Sequence, residues 1–245
     1  MLANYIIRHK DYNPKKAFYG FIGREFPIEI HKYRNHPEAQ SAKAKILEAI
    51  DYGRYSDLSI LNQVHGNKTV AIDSIGEELN ADAQVTKNKN ILLGIQTADC
   101  VPILFIDEKN EVVGAAHAGW RSAIGGIITS TIEQMQRLGS RASDIDVVIG
   151  PCIRQKSYEV GSEFLDQFLK ASDSNGDFFI KGTIHGKYMF DLPGYIIRQL
   201  SKYSFNNVFD VDIDTLEDEA RFFSYRRSCL EGKSSYESIL SVVGL

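Results

Sequence analysis

Residues 91–138 read ILLGIQTADCVPILFIDEKNEVVGAAHAGWRSAIGGIITSTIEQMQRL. Three apolar runs stand at its front, Ile91–Ile95, Val101–Ile106 and Val112–Ala116, with Asp107-Glu108-Lys109-Asn110 as a turn between the last two. Near-continuous apolar runs of this length predict strands covered on both faces. The stretch then changes period. Ile124, Ile127, Ile128, Ile132, Met135 and Leu138 recur at helical spacing, which predicts one helix from Ser122 to Leu138, capped near Ser122 and stopped by Gly139. Buried strands followed by an amphipathic helix set the class as α/β or α+β with a mixed sheet.

The flanks agree. Ile145–Ile149 reads as another buried strand, and Ser162–Lys170 and Pro193–Tyr203 read as helices, with Asp191 near the start of the second. Val208–Ile213 and the aromatic Phe222–Tyr225 read as strands. Upstream, Ala17–Ile22, Ser59–Val64 and Thr69–Ile72 are strand candidates, and Pro37–Ile50 repeats apolar residues at helical spacing behind a first-turn proline. No repeat, low-complexity tract or linker interrupts residues 1–245, so one domain is the simplest organisation.

Composition narrows the function. The formal net charge of −4 argues against a general nucleic-acid binder. Cys100, Cys152 and Cys229 are too few and too scattered for a disulfide framework or a four-ligand structural zinc site. Met1–Lys10 lacks the apolar run of a signal peptide, and no stretch has the length of a membrane helix. The expectation is a soluble cytoplasmic protein with no protein partner inferred.

Two of the six histidines stand out. His65 and His117 each end a strand-like segment and precede small residues, and Cys100 lies between two buried strand candidates. Strand ends converge on clefts, and imidazole with thiolate suits zinc or another borderline metal. Three protein ligands leave a fourth position for water, as in a catalytic site. Two other readings stand beside this one: unrelated core residues, and a metal-free pair in which Cys100 attacks and a histidine is the base. His9, His31, His36 and His185 read as solvated. Arg121, in the run from strand to helix, offers a fork for phosphate, or is a surface arginine beside a tight turn. Gln63, Asp82 and Asp99 are candidate polar partners in the same cleft, and the bland alternative for each is a structural hydrogen bond. Tyr225-Arg226-Arg227 is a late basic cluster, with a solvated loop as its bland alternative, Gly150-Pro151-Cys152 reads as a rigid turn, and Trp120 as core or a platform for a ring.

Together these segments resemble one family. Gln63-Val64-His65-Gly66, Ala81-Asp82-Ala83, Thr97-Ala98-Asp99-Cys100, His117-Ala118-Gly119-Trp120-Arg121, Gly150-Pro151-Cys152 and Phe223-Ser224-Tyr225-Arg226-Arg227 follow the order of the YfiH-type, or laccase-domain, proteins. These were first labelled polyphenol oxidases and are now described as purine nucleoside phosphorylases. The resemblance spans about residues 17–227. It implies a single four-layer α/β/β/α domain with mixed sheets, and a zinc centre on His65, Cys100 and His117, with copper as the alternative metal. It also implies phosphorolysis of adenosine, inosine and methylthioadenosine, with adenosine deamination as a second reaction. Purine nucleosides and phosphate are then the partners, with Arg121, Gln63, Asp82 and Asp99 as substrate-binding residues.

The chain departs from the family pattern in four places. Tyr19-Gly20-Phe21 replaces a His-Gly-Phe segment, Ile28–Pro37 matches poorly, Asp214-Thr215 replaces a Cys-Thr pair, and Tyr236–Leu245 lacks the usual arginine. Competing functions are a copper-dependent phenol oxidase, a metal-free cysteine hydrolase, and a non-catalytic protein that uses metal to fold. Six histidines are few for the several copper sites of a multi-copper oxidase.

Overall fold

The computed structural model describes residues 6–24, 37–50, 53–76 and 79–245. Most of the poorly matching segment Ile28–Pro37, with His31 and His36, lies outside them. The first half of the chain runs β1 (Ile6–Ile7), β2 (Phe18–Ile22), α1 (Pro37–Ile50), β3 (Asp57–Ile60), β4 (Thr69–Ala71), β5 (Ala83–Thr86), β6 (Ile91–Thr97), β7 (Val101–Asp107) and β8 (Val112–Ala118). The second half runs α2 (Trp120–Ile124), α3 (Ile127–Arg137), β9 (Asp146–Ile149), β10 (Glu159–Gly161), α4 (Ser162–Ala171), β11 (Phe179–Lys181), β12 (Lys187–Phe190), α5 (Leu192–Leu200), β13 (Asn207–Asp210), α6 (Tyr225–Leu230) and β14 (Ile239–Gly244).

Every residue of β6, β7 and β8 is buried, as their unbroken apolar runs require. β6 goes to a five-stranded sheet ordered β1-β2-β14-β6-β3, while β7 and β8 go to a six-stranded sheet ordered β13-β9-β7-β8-β5-β4. Both sheets are mixed: β3 pairs parallel with β6 and β4 with β5, whereas β7 pairs antiparallel with β8. A small sheet, β10-β12-β11, stands apart from these two.

Three cores separate the layers. Ile46 of α1 packs with Leu58, Leu92, Leu240 and Val242 on one face of the five-stranded sheet. Leu93, Ile95 and Val243 meet Leu104, Ile106, Val113 and Val148 between the two large sheets. Ile103, Phe105 and Val147 pack under Ile128, Ile132 and Met135 of α3, and under Phe168 and Ile196 of α4 and α5. The order helix, sheet, sheet, helix is the expected four-layer α/β/β/α arrangement. Among the described residues no helix is long and apolar enough to cross a membrane.

Three sequence expectations need correction. The helix expected over Ser122–Leu138 is two helices, α2 and α3, because Gly126 takes φ 92°, a left-handed value that breaks the helical ladder. The strand expected over Ser59–Val64 stops at Ile60, since the amides of Val64, His65 and Gly66 donate to the Asp82 carboxylate instead of to a neighbouring strand. The strand expected over Phe222–Tyr225 is a turn into α6. Ser224 Oγ accepts from Arg227 N at 3.1 Å and so caps a helix there.

Candidate active site

Asp82 precedes β5, and its carbonyl accepts from His117 N at 2.7 Å, which sets it beside the end of β8. Its carboxylate is fully buried and gathers the loop after β3: Oδ1 accepts from His65 N (2.9 Å), and Oδ2 from Gly66 N (2.7 Å) and Val64 N (3.2 Å). The same Oδ1 accepts from His117 Nδ1 at 2.8 Å. Burial pushes the Asp82 carboxyl up, yet these donors hold it below its ordinary value. An ionised acceptor fixes a hydrogen on Nδ1, so the neutral form of the His117 ring carries its lone pair on Nε2. His65 pays for this reach with φ 57°, and Asp99 turns the β6–β7 connection with φ 82°.

The result brings together one ligand atom each from His65, Cys100 and His117, all within 4.8 Å of one another. The two imidazoles meet edge to face, with centroids 4.7 Å apart. Burial pushes the Cys100 thiol up, but the charge and hydrogen bonds of His117 and His65 outweigh it and bring it down to about 7. Burial pushes His117 down, and Cys100 and Asp82 reverse that and raise it to about 9. Gly119 keeps the space between the ligands open: a Cβ there would lie 3.0 Å from Cys100 Sγ, 3.0 Å from His65 Nδ1 and 3.7 Å from His117 Nε2. Two imidazole nitrogens and a thiol this close together suit a borderline divalent metal.

The group opens onto a cavity of about 740 Å³ that Trp120, Arg121, Tyr158, Tyr225, Arg226 and Tyr236 help to line. A volume of this size admits a small organic substrate.

Comparison with known proteins fits the site. Residues 30–236 match the family model described as "Multi-copper polyphenol oxidoreductase laccase". The chain belongs to this laccase-domain family. A purine nucleoside phosphorylase of Rickettsia prowazekii is 34% identical over 233 residues, covering 94% of this chain and 96% of the relative. An adenosine deaminase from an unknown prokaryotic organism is 34% identical over 146 residues, covering 56% of each chain. The crystal structure of a Bacillus licheniformis hypothetical protein, YfiH, superposes with a TM-score of 0.84 at 23% identity, covering 100% of this chain and 98% of the other. The expected laccase-domain membership and fold therefore hold.

The other residues singled out in the sequence take varied positions around the laccase-domain cavity. Arg121 lines it and lies over the Trp120 ring, 4.3 Å from the centroid. Gln63 lines it too, but its amide is engaged with the main chain of Gln96, donating to O at 2.7 Å and accepting from N at 2.9 Å. Asp99 is 7% exposed at the cavity wall; it accepts from Thr215 Oγ1 (2.7 Å), Ser224 Oγ (2.9 Å) and Arg226 N (2.7 Å). Burial nonetheless leaves its carboxyl above the ordinary value. Asp82 does not line the cavity, and its oxygens accept from the donors above.

The basic cluster divides. Arg227 is not a solvated loop residue, for its guanidinium donates to the carbonyls of Phe222, Thr215 and Leu216. Arg226 faces the cavity. Tyr158, the cavity-facing place of Arg226 and the opening role of Gly119 escaped the sequence reading. Arg226 carried a signal in the Tyr-Arg-Arg cluster, whereas Tyr158 carried none. Of the family departures, Tyr19 is a core residue whose hydroxyl donates to Tyr12 O, Thr215 holds Asp99, and Tyr236–Leu245 contains the buried strand β14.

Proposed function

We propose that this chain is a purine nucleoside phosphorylase acting on adenosine, inosine and methylthioadenosine, with adenosine deamination as a second reaction at the same zinc centre. The observation that carries the reading is the convergence of His65, Cys100 and His117 on a cavity that aromatic rings and Arg121 also line. His65 Nδ1, Cys100 Sγ and His117 Nε2 are the proposed ligands, and Gly119 leaves them room. When bound, zinc supplies Lewis acidity and activates water near neutral pH.

The chain's own residues do the rest. Asp82 is a positioning residue, in place of the substrate ligand expected from sequence, because it holds both the His117 ring and the His65 loop. Gln63 fixes that loop to β6. Tyr225 and Tyr236, which also line the cavity, offer rings to a purine. Arg121 holds phosphate beside the sugar. Phosphorolysis then forms a bond from a phosphate oxygen to C1′ and breaks the bond from C1′ to the base, giving free base and ribose 1-phosphate. Deamination adds water at C6 of adenine and releases ammonia. We take residues 1–245 as one domain working in the reducing cytoplasm, consistent with three free cysteines.

Two other readings rank lower. Among the described residues one His/Cys group comes together, whereas a multi-copper phenol oxidase gathers several. A metal-free cysteine hydrolase would use the lowered Cys100 thiol directly. Chromatography of adenosine incubated with the purified protein separates them. Adenine and ribose 1-phosphate with phosphate, and inosine without it, is the expected outcome. Unchanged adenosine under both conditions overturns the proposal.

A further inference from the structure

Two guanidinium groups face the cavity without a partner. Among the described residues, neither Arg121 nor Arg226 makes an ion pair or a side-chain hydrogen bond. Each instead lies over an aromatic ring: Arg121 over Trp120 at 4.3 Å and Arg226 over Tyr158 at 5.4 Å from the centroid. Stacking holds a guanidinium plane in place while its N–H groups stay free to donate. The main-chain nitrogen of Arg226 is itself fixed, donating to the buried Asp99 carboxylate at 2.7 Å. Asp99 directly precedes Cys100, so one residue ties Arg226 to the ligand group.

Tyr158 lines the same cavity, and burial keeps its phenol protonated, so its hydroxyl can donate at the wall that Arg226 covers. Two unpaired cations sharing one cavity repel each other unless an anion lies between them, and the chain as a whole is acidic, at −4. Two forks and a hydroxyl approaching from different elements fit a tetrahedral dianion. A planar carboxylate is satisfied by a single fork.

We infer that Arg226, with Tyr158, forms the second half of an inorganic phosphate site whose first half is Arg121. This rests on the phosphorylase reading. It assigns Arg226 a substrate-binding role, and Asp99 the role of positioning Arg226 in place of the substrate ligand that sequence suggested.

The test uses the zinc-loaded full chain in two assays. One measures adenine release from adenosine at varied phosphate; the other measures binding of inorganic phosphate alone by calorimetry. Arg226→Gln and Arg121→Gln should each raise the KM for phosphate at least tenfold and leave the KM for adenosine within twofold. The double variant should bind phosphate little worse than either single one, because both arms hold one anion. Arg226→Lys should recover only part of the loss. An unchanged phosphate KM in Arg226→Gln, or equal rises in both KM values, overturns the inference. If the wild-type protein releases no adenine, the phosphorylase reading fails by itself. Calorimetry then decides the site: phosphate binding lost in Arg226→Gln upholds it, and binding retained, or absent from the wild type, overturns it.

Discussion

Asp82 Oδ1 lies 2.8 Å from His117 Nδ1 and 2.9 Å from the main-chain nitrogen of His65. One buried oxygen thus orients the His117 ring on β8 and the loop that carries His65. Neither histidine is placed by its own strand alone, and the geometry of the group depends on a residue that does not line the cavity.

Asp82→Asn keeps the shape and removes the charge. It should weaken zinc binding by about 10–100-fold, the usual cost of losing a carboxylate behind a ligating histidine. Competition with a chromogenic chelator measures this. Affinity equal to the wild type would remove Asp82 from the account.

Gly119→Ala isolates the space between the ligands. The backbone there, φ −69° and ψ 167°, accepts alanine without strain. The added Cβ would nonetheless fall 3.0 Å from Cys100 Sγ and from His65 Nδ1. Zinc occupancy should drop severely while the metal-free protein melts within a few degrees of the wild type. Full occupancy by elemental analysis would show that the ligands meet a metal elsewhere.

Gly126→Ala tests the break between α2 and α3. At φ 92° an L-residue is strained, and the substitution should cost about 1–2 kcal/mol. For a chain of this size that lowers Tm by about 2–4 °C per kcal/mol. An unchanged Tm would mean that the two helices can join.

Cys100 should be an unusually reactive thiol in the metal-free protein. Its pKa, brought down to about 7, means that the thiolate fraction rises through neutral pH, well below the ordinary thiol range. Site-resolved alkylation followed by peptide mass spectrometry should show a midpoint near pH 7 at Cys100 and protection on adding zinc. The buried Cys152, whose thiol burial pushes up, should stay unmodified in the folded protein. A Cys100 midpoint above pH 8.5 would contradict the environment described.

The legible parts of this chain were those decided locally. Pro37 and the helical spacing behind it marked both ends of α1, and unbroken apolar runs marked β6, β7 and β8. β14 is as buried as those strands, but it pairs with β2 and β6, far away in the chain, and a short terminal run gives no hint of such partners. Phe222-Phe223-Ser224-Tyr225 carries strand-like aromatics, yet the Ser224 cap and the long-range bond to Asp99 decide its conformation. The ligand residues were recognisable by motif and by strand ends. The work of Asp82 and the stacking of Arg226 on Tyr158 join segments well separated in sequence, so only the folded chain shows them.

The central claim is that His65, Cys100 and His117 hold a zinc ion that nucleoside chemistry requires. The most direct measurement is inosine formation from adenosine, without phosphate, by protein stripped rigorously of metal and then titrated with zinc. The account predicts no inosine from the stripped protein and full recovery at about one zinc per chain. Undiminished inosine production by the metal-free protein would contradict it and move the chemistry to the Cys100 thiolate itself.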